Sequence, residues 1–324
     1  MRVRLPATLP APVLMPIRRH HHSEFSNIAL LVERKQRLGR RIAVCIPTLN
    51  EADTIGQIVA TVRGNLMDQH PLVDELLVVD SGSTDATRRL AAEAGATVHL
   101  SADIRPDTGT LPGKGENLWK ALLATTSDII CYIDGDIDGF HPGFVTGLVG
   151  PLLDFPEIEY VKAYYERPLA INGAHHPNGG GRVSEIVVRP MLALFYPQLC
   201  DLFQPLAGEY AARRQTLESL AFPTGYGVET AHLIDLFTAG KLPNMAQTDL
   251  DQRRHRNRSD TELGRMAFAI LRVILRRLER DGKLTLAAAL PEFHRAWSFE
   301  NGTPLETTTH LPEPERPPLR PGRL

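Results

Sequence analysis

Apolar residues in this chain fall into short continuous runs that alternate with amphipathic stretches, starting near residue 41. Arg41–Pro47 is such a run, closed by proline, and predicts a buried strand. Ile55, Ile58, Val59, Val62 and Leu66 then recur with the spacing of one helix face. Glu75–Asp80 predicts a second strand, Ser81–Asp85 a turn that opens another helix, and Ala96–Leu100 a third strand. After a Pro- and Gly-rich loop over 102–115, Glu116–Ala124 reads as a helix. Asp128–Ile133 reads as a fourth strand, running directly into Asp134-Gly135-Asp136. Strands alternating with helices imply right-handed βαβ units, hence an α/β fold with a Rossmann-like, mostly parallel sheet. In such sheets ligands bind beyond the C-terminal ends of the strands. The polar clusters Thr48–Glu51, Asp80–Asp85 and Asp134–Asp136 all follow strand ends, so one rim should hold all three.

The second half is less regular. Ile158–Tyr164 predicts a further strand, and the Gly-rich run Asn178–Arg182 leads into a mixed helical stretch. Ser259 and Glu262 have capping-box spacing, and Leu263, Met266, Ala267, Ile270, Leu271, Ile274 and Leu278 then mark a long helix that Asp281-Gly282 stops. No internal repeat is present. The expected organisation is an arm over 1–38, a first subdomain over 39–160, a second with the long helix over 161–300, and a Pro-rich extended tail over 301–324. The arm reads as lying across the body or against a partner subunit. His20–His22 within it reads as solvated basic tail in preference to a metal site.

Composition changes this picture little. The chain has 324 residues, 43% of them hydrophobic and 23% charged, with a net charge of -2. Near-neutrality argues against a nucleic-acid duplex or an acidic membrane as partner, so any anion site must be a local basic cluster. Cys45 and Cys131 sit inside apolar runs and Cys200 stands apart, without CxxC spacing, which fits a reduced, cytoplasmic protein. No apolar stretch reaches the ~20 residues needed to span a bilayer.

The chemistry centres on Asp134-Gly135-Asp136. Two aspartates one residue apart at a strand end can share a hard divalent cation and a sugar nucleotide, because carboxylate oxygens suit a metal that bridges a departing diphosphate. Alone, such a pair is as readily a turn. Asp80–Asp85 brings a glycine and small hydroxylated residues for a base and ribose, and also serves as a helix N-cap. Pro47–Glu51 is a third strand-end cluster, and Lys114 in Pro112–Gly115 is positioned to neutralise phosphate. Neither a P-loop nor a dinucleotide G-x-G-x-x-G motif follows a strand. Arg182 after three glycines, and Arg253–Arg258, supply guanidinium forks suited to an acceptor bearing phosphate and carboxylate.

In order and spacing, Pro47–Glu51, Asp80–Asp85, Gly113-Lys114-Gly115 and Asp134–Asp136 resemble the family-2-type nucleotide-sugar transferases of the GT-A fold. Gly179–Glu185, Gln204–Ala211, Gly225–Glu229 and His255–Arg258 narrow the resemblance to the retaining glucosyl- and mannosyl-3-phosphoglycerate synthases, over about residues 40 to 300. The resemblance implies that 39–160 binds the nucleotide sugar and that the C-terminal part, 161–300, binds the acceptor. Pro47, Thr48, Leu49, Glu51, Ser81, Gly82 and Ser83 would hold the nucleoside. Lys114, Asp134 and Gly135 would meet the phosphates and sugar, with Tyr226 and Glu229 beside the transferred hexose. Asp134, Glu229 and Lys114 form the implied catalytic group. Asp136 and His255 are the implied protein ligands of Mg²⁺, Mn²⁺ or another divalent cation. Gly181, Arg182, Ser184, Arg253 and Asn257 would cradle 3-phosphoglycerate.

Two positions depart from the glucosyl branch, which has Ala where Thr48 stands and Ser where Gly135 stands. On that ground GDP-mannose is the expected donor, with a glucose donor as the alternative. A sugar-nucleotide nucleotidyltransferase is the rival of another class, separated by release of pyrophosphate in place of nucleoside diphosphate. A homodimer is expected through the long helix and the arm, although internal packing would equally account for both.

Overall fold

The computed structural model describes residues 2–3, 17–167, 169–171, 174–176, 180–253 and 259–320. Its centre is an eight-stranded sheet. In chain order the strands are β1 (Arg18–His21), β2 (Ile42–Thr48), β3 (Glu75–Asp80), β4 (Thr97–Leu100), β5 (Ile129–Tyr132), β6 (Tyr160–Glu166), β7 (Tyr210–Arg213) and β8 (Met245–Gln252). Across the sheet they run β1-β8-β6-β7-β5-β2-β3-β4. Every pairing is parallel except those of β7, which is antiparallel to both β5 and β6.

Both faces are covered, as a parallel sheet requires. Along β2, Ile42, Val44 and Ile46 join one apolar cluster with α1 (Ile28–Leu38), α2 (Ile55–Arg63), α3 (Thr87–Glu93) and α5 (Gly143–Asp154), and shorter helices α6 (Arg189–Phe195) and α7 (Arg214–Glu218) follow in the chain. Ala43 and Cys45 point the other way, into a cluster with α4 (Lys114–Ala124), α8 (Val228–Thr238) and α9 (Asp260–Arg280). The two-residue period of a strand thus divides one apolar run between two cores. Cys45 and Cys131 are buried free thiols within them. The capping box expected before α9 forms, with Ser259 and Glu262 exchanging hydrogen bonds, and Ile270, Val273, Ile274 and Leu278 are buried. Among the described residues no helix is long and apolar enough to cross a membrane.

Three elements differ from the sequence expectation. His20–His22 is no solvated tail, because β1 pairs with β8, which makes His20 and His21 part of the sheet edge, and His22 opens the turn that follows. The His20 ring stacks on Phe155 and meets Phe25 edge-on. The tail is not simply extended: it begins in the second strand of a hairpin, Phe293–Glu300 with Thr303–His310, and then returns so that Glu315–Arg316 pairs with Phe222–Pro223. Finally, β7 was not expected, because Tyr210–Arg213 lacks the branched apolar residues that mark β5, a strand of the same length.

Candidate active site

Seven parallel strands direct their C-terminal ends to one rim, and β7, running the other way, brings its N-terminal end there. Pro47 and Thr48 close β2, Asp134 and Asp136 follow β5, Arg167 follows β6, Arg253 follows β8, and Glu209 immediately precedes β7. These ends surround a cavity of about 620 Å³. Of the residues singled out from sequence, Pro47, Thr48, Leu49, Glu51, Ser81, Lys114, Asp134, Gly135 and Asp136 line it. So do Gly181, Arg182, Ser184, Tyr226, Glu229 and Arg253. Gly82 and Ser83 are not on its wall: their amides donate to Asp80 Oδ1, and the Ser83 hydroxyl donates to Asp80 Oδ2 at 2.5 Å. They shape the turn from behind. His255 and Asn257 lie outside the described residues.

The charges interlock. Lys114 Nζ stands 2.5 Å from Asp134 Oδ1 and 2.9 Å from Glu229 Oε1. Arg253 Nη2 spans the aspartate pair, 3.0 Å from Asp134 Oδ2 and 2.5 Å from Asp136 Oδ1. Burial alone would lower the pKa of Lys114, but Asp134 and Glu229 outweigh that cost and hold it above the ordinary lysine range. Burial likewise opposes the charge on Asp134, yet Lys114 and then Arg253 hold its carboxyl well below the usual carboxylate range. The site therefore keeps these charges fixed across neutral pH. Behind it, burial pulls Lys162 down to about 8, and its ammonium donates to the Ala207 carbonyl.

Sequence reasoning assigned no role to Arg167 or Glu209. The Tyr165 hydroxyl donates to Glu209 Oε2 at 2.7 Å and accepts from Arg167 at 2.8 Å and Arg253 at 3.2 Å. Arg253 Nε also lies 3.3 Å from Glu209 Oε1. Arg167 follows a strand end, a signal that was available. Glu209 stands before its strand, where the rule about C-terminal ends does not look. Backbone space matters as much: a Cβ on Gly208 would sit 2.0 Å from Asp134 Oδ2, so only glycine admits the carboxylate there. At Gly135 a Cβ would lie 3.1 Å from Thr48 Cγ2, so these two residues of the cavity wall pack against each other.

A mostly parallel sheet with paired acids and a lysine bridge around one rim cavity is a GT-A nucleotide-sugar transferase site, and residues 43–183 match the family model for glycosyl transferase family 2. The chain is 47% identical over 302 residues to glucosyl-3-phosphoglycerate synthase of Petrotoga mobilis, covering 93% of each chain. Among solved structures, mannosyl-3-phosphoglycerate synthase of Rubrobacter xylanophilus aligns with a TM-score of 0.85 and 36% identity, over 93% of this chain and 94% of that one. Mycobacterium tuberculosis glucosyl-3-phosphoglycerate synthase, holding Mn²⁺, uridine diphosphate and glucosyl-3-phosphoglycerate, aligns with a TM-score of 0.82 and 38% identity, over 94% and 99%. The chain belongs to the glucosyl- and mannosyl-3-phosphoglycerate synthase family, and it is a glycosyltransferase.

Proposed function

We propose that this enzyme transfers a glucosyl residue from a nucleotide sugar to 3-phosphoglycerate with retention of anomeric configuration. The observation that carries the reading is the joining of two chemistries in one cavity. Asp134, Asp136 and Lys114 suit a sugar diphosphate, while Arg167, Arg182 and Arg253 suit an acceptor bearing phosphate and carboxylate. Preference for glucose over mannose rests on the similarity to the Petrotoga mobilis enzyme along nearly the whole chain. A mannosyl donor is the second reading, favoured by the Rubrobacter xylanophilus structure.

The residues fit a divalent cation. A single positive group, the Arg253 guanidinium, already bridges Asp134 and Asp136, so the carboxylate oxygens converge where positive charge is wanted. Asp136 would hold the ion, joined by His255 on the family resemblance, and a bound Mg²⁺ or Mn²⁺ supplies charge stabilisation for the departing diphosphate. Lys114 adds its fixed charge to the same task, and Glu229 holds Lys114 in place. The acceptor hydroxyl attacks the anomeric carbon from the face that the diphosphate leaves. A carbon–oxygen bond forms as the old one breaks, and the proton passes to the leaving diphosphate. Most of the rate then comes from orientation and fixed charge.

The test is product analysis with Mg²⁺, 3-phosphoglycerate and UDP-glucose, GDP-glucose or GDP-mannose supplied separately. Glucosyl transfer with release of nucleoside diphosphate is expected. Asp136→Ala should lose metal-dependent turnover, and near-normal transfer by it would remove the metal assignment. Pyrophosphate release from a nucleoside triphosphate would replace the whole reading by nucleotidyl transfer. We also propose a homodimer. Its support is the hairpin over residues 293–310, which exposes Phe293, Trp297 and Phe299 on one face, and a second copy of that face is the natural cover. Trp297→Glu with Phe299→Glu should halve the mass measured by light scattering, and an unchanged mass would exclude this surface.

A further inference from the structure

Two adjacent residues of a strand point to opposite faces, yet His21 and His22 present their rings to the same carboxylate. His21 Nε2 lies 2.9 Å from Asp251 Oδ1 and His22 Nε2 lies 2.6 Å from Asp251 Oδ2. The chain achieves this by leaving β1 at His21 and entering a single turn over His22–Phe25, which swings His22 to the side of its neighbour. The two imidazole centroids are 4.6 Å apart, and the ligand atoms of all three residues fall within 4.8 Å of one another.

Asp251 is bent toward them. It is a non-glycine residue with φ of 65°, at the point where the pairing of β8 with β6 slips between Asp249 and Gln252. An aspartate held in the left-handed region carries a conformational cost that its surroundings must offset. Its amide donates to Asp249 Oδ1 at 3.0 Å, which locks the bulge and fixes the carboxylate between the two rings. His21 Nδ1 accepts from the Ser23 amide at 3.2 Å and lies 2.7 Å from Ser23 Oγ, so the turn that it caps fixes the ring with Nε2 aimed at Asp251. His22 is half enclosed against His141, whose ring centroid is 5.0 Å away. A Cβ on Gly143 would fall 2.5 Å from His22 Nδ1, so glycine is what lets the rings pack here.

We propose that His21, His22 and Asp251 form a second cation site, taking a borderline divalent ion of the Zn²⁺ class. Two imidazole nitrogens and one carboxylate are the donor set of such an ion, whereas Mg²⁺ and Ca²⁺ prefer oxygen throughout. Its role is structural. The ion staples the N-terminal edge strand to the end of β8, two residues before Arg253, and so steadies the segment that enters the active site. The site does not depend on the histidine run as such, because His20 faces away, with Nδ1 2.9 Å from Glu24 Oε2 and its ring between Phe25 and Phe155.

The experiment is a Zn²⁺ titration of the full chain by isothermal calorimetry in an Asp136→Ala background, which removes the cation site of the proposed reaction and keeps the two readings separable. One equivalent should bind, with a rise in the thermal midpoint. In that background His22→Ala and Asp251→Gly should each weaken binding at least about tenfold, and His20→Ala should leave it within about threefold. The glycine variant relieves the backbone while deleting the ligand, so its folding is protected, and circular dichroism verifies it. Absence of stoichiometric Zn²⁺ in the Asp136→Ala protein overturns the proposal. So does a His20→Ala protein as impaired as His22→Ala, which would mean that the run of histidines binds without a built site.

Discussion

Lys114 is held by opposite charges on two different elements, Asp134 beyond β5 and Glu229 in the first turn of α8. An ammonium fixed in this way needs no reorganisation when negative charge develops on a leaving diphosphate, which is the condition for strong electrostatic catalysis. Lys114→Met should therefore lower kcat by about a hundredfold or more while the circular dichroism spectrum is retained. Steady-state kinetics at saturating acceptor measures it, and a change confined to KM would show that Lys114 only binds. Lys114 and Asp134 were legible from the residues themselves, and Glu229 only through the family resemblance. Arg167 and Glu209 were not singled out, since their value lies in sharing the Tyr165 hydroxyl, a contact that unites two antiparallel strands.

At the scale of elements, the end of β2 and the loop after β5 behave as one packed unit. Thr48 donates to Asp80 Oδ2 at 2.8 Å and turns its methyl toward Gly135, where a side chain has little room. Ala at the first position with Ser at the second is a volume exchange within this contact. A packing exchange therefore accounts for the pair without a change of donor sugar. Gly135→Ser alone should cost about 1–3 kcal/mol, the usual price of overpacking. Adding Thr48→Ala should recover at least about 1 kcal/mol of that loss in a double-mutant cycle read by urea unfolding. Strict additivity would deny the coupling. The ratio of kcat/KM for glucose and mannose donors should stay within about threefold in the double variant. A large switch would make this pair a specificity determinant after all.

At the scale of the whole molecule, the C-terminal segment closes the structure behind the site. Arg316 grips the fully buried Glu116 with two nitrogens, at 2.7 and 2.8 Å, and so ties the tail to the first turn of α4, where Lys114 begins. Removing one partner of a buried pair leaves the other charge uncompensated, so Arg316→Ala should destabilise by about 3 kcal/mol in denaturant unfolding. A loss below about 0.5 kcal/mol would place the pair among ordinary surface contacts. The alternation of apolar runs and helix faces determined the α/β class, strands β2 to β6 and the rim on which Asp134, Asp136 and Lys114 meet, because burial on both faces of a parallel sheet writes itself into local periodicity. Only the tertiary structure decided that a reversed strand brings Glu209 to that rim, that the tail returns to buttress α4, and that His21, His22 and Asp251 converge. Those contacts join residues far apart in the chain, and no local period records a distance in space.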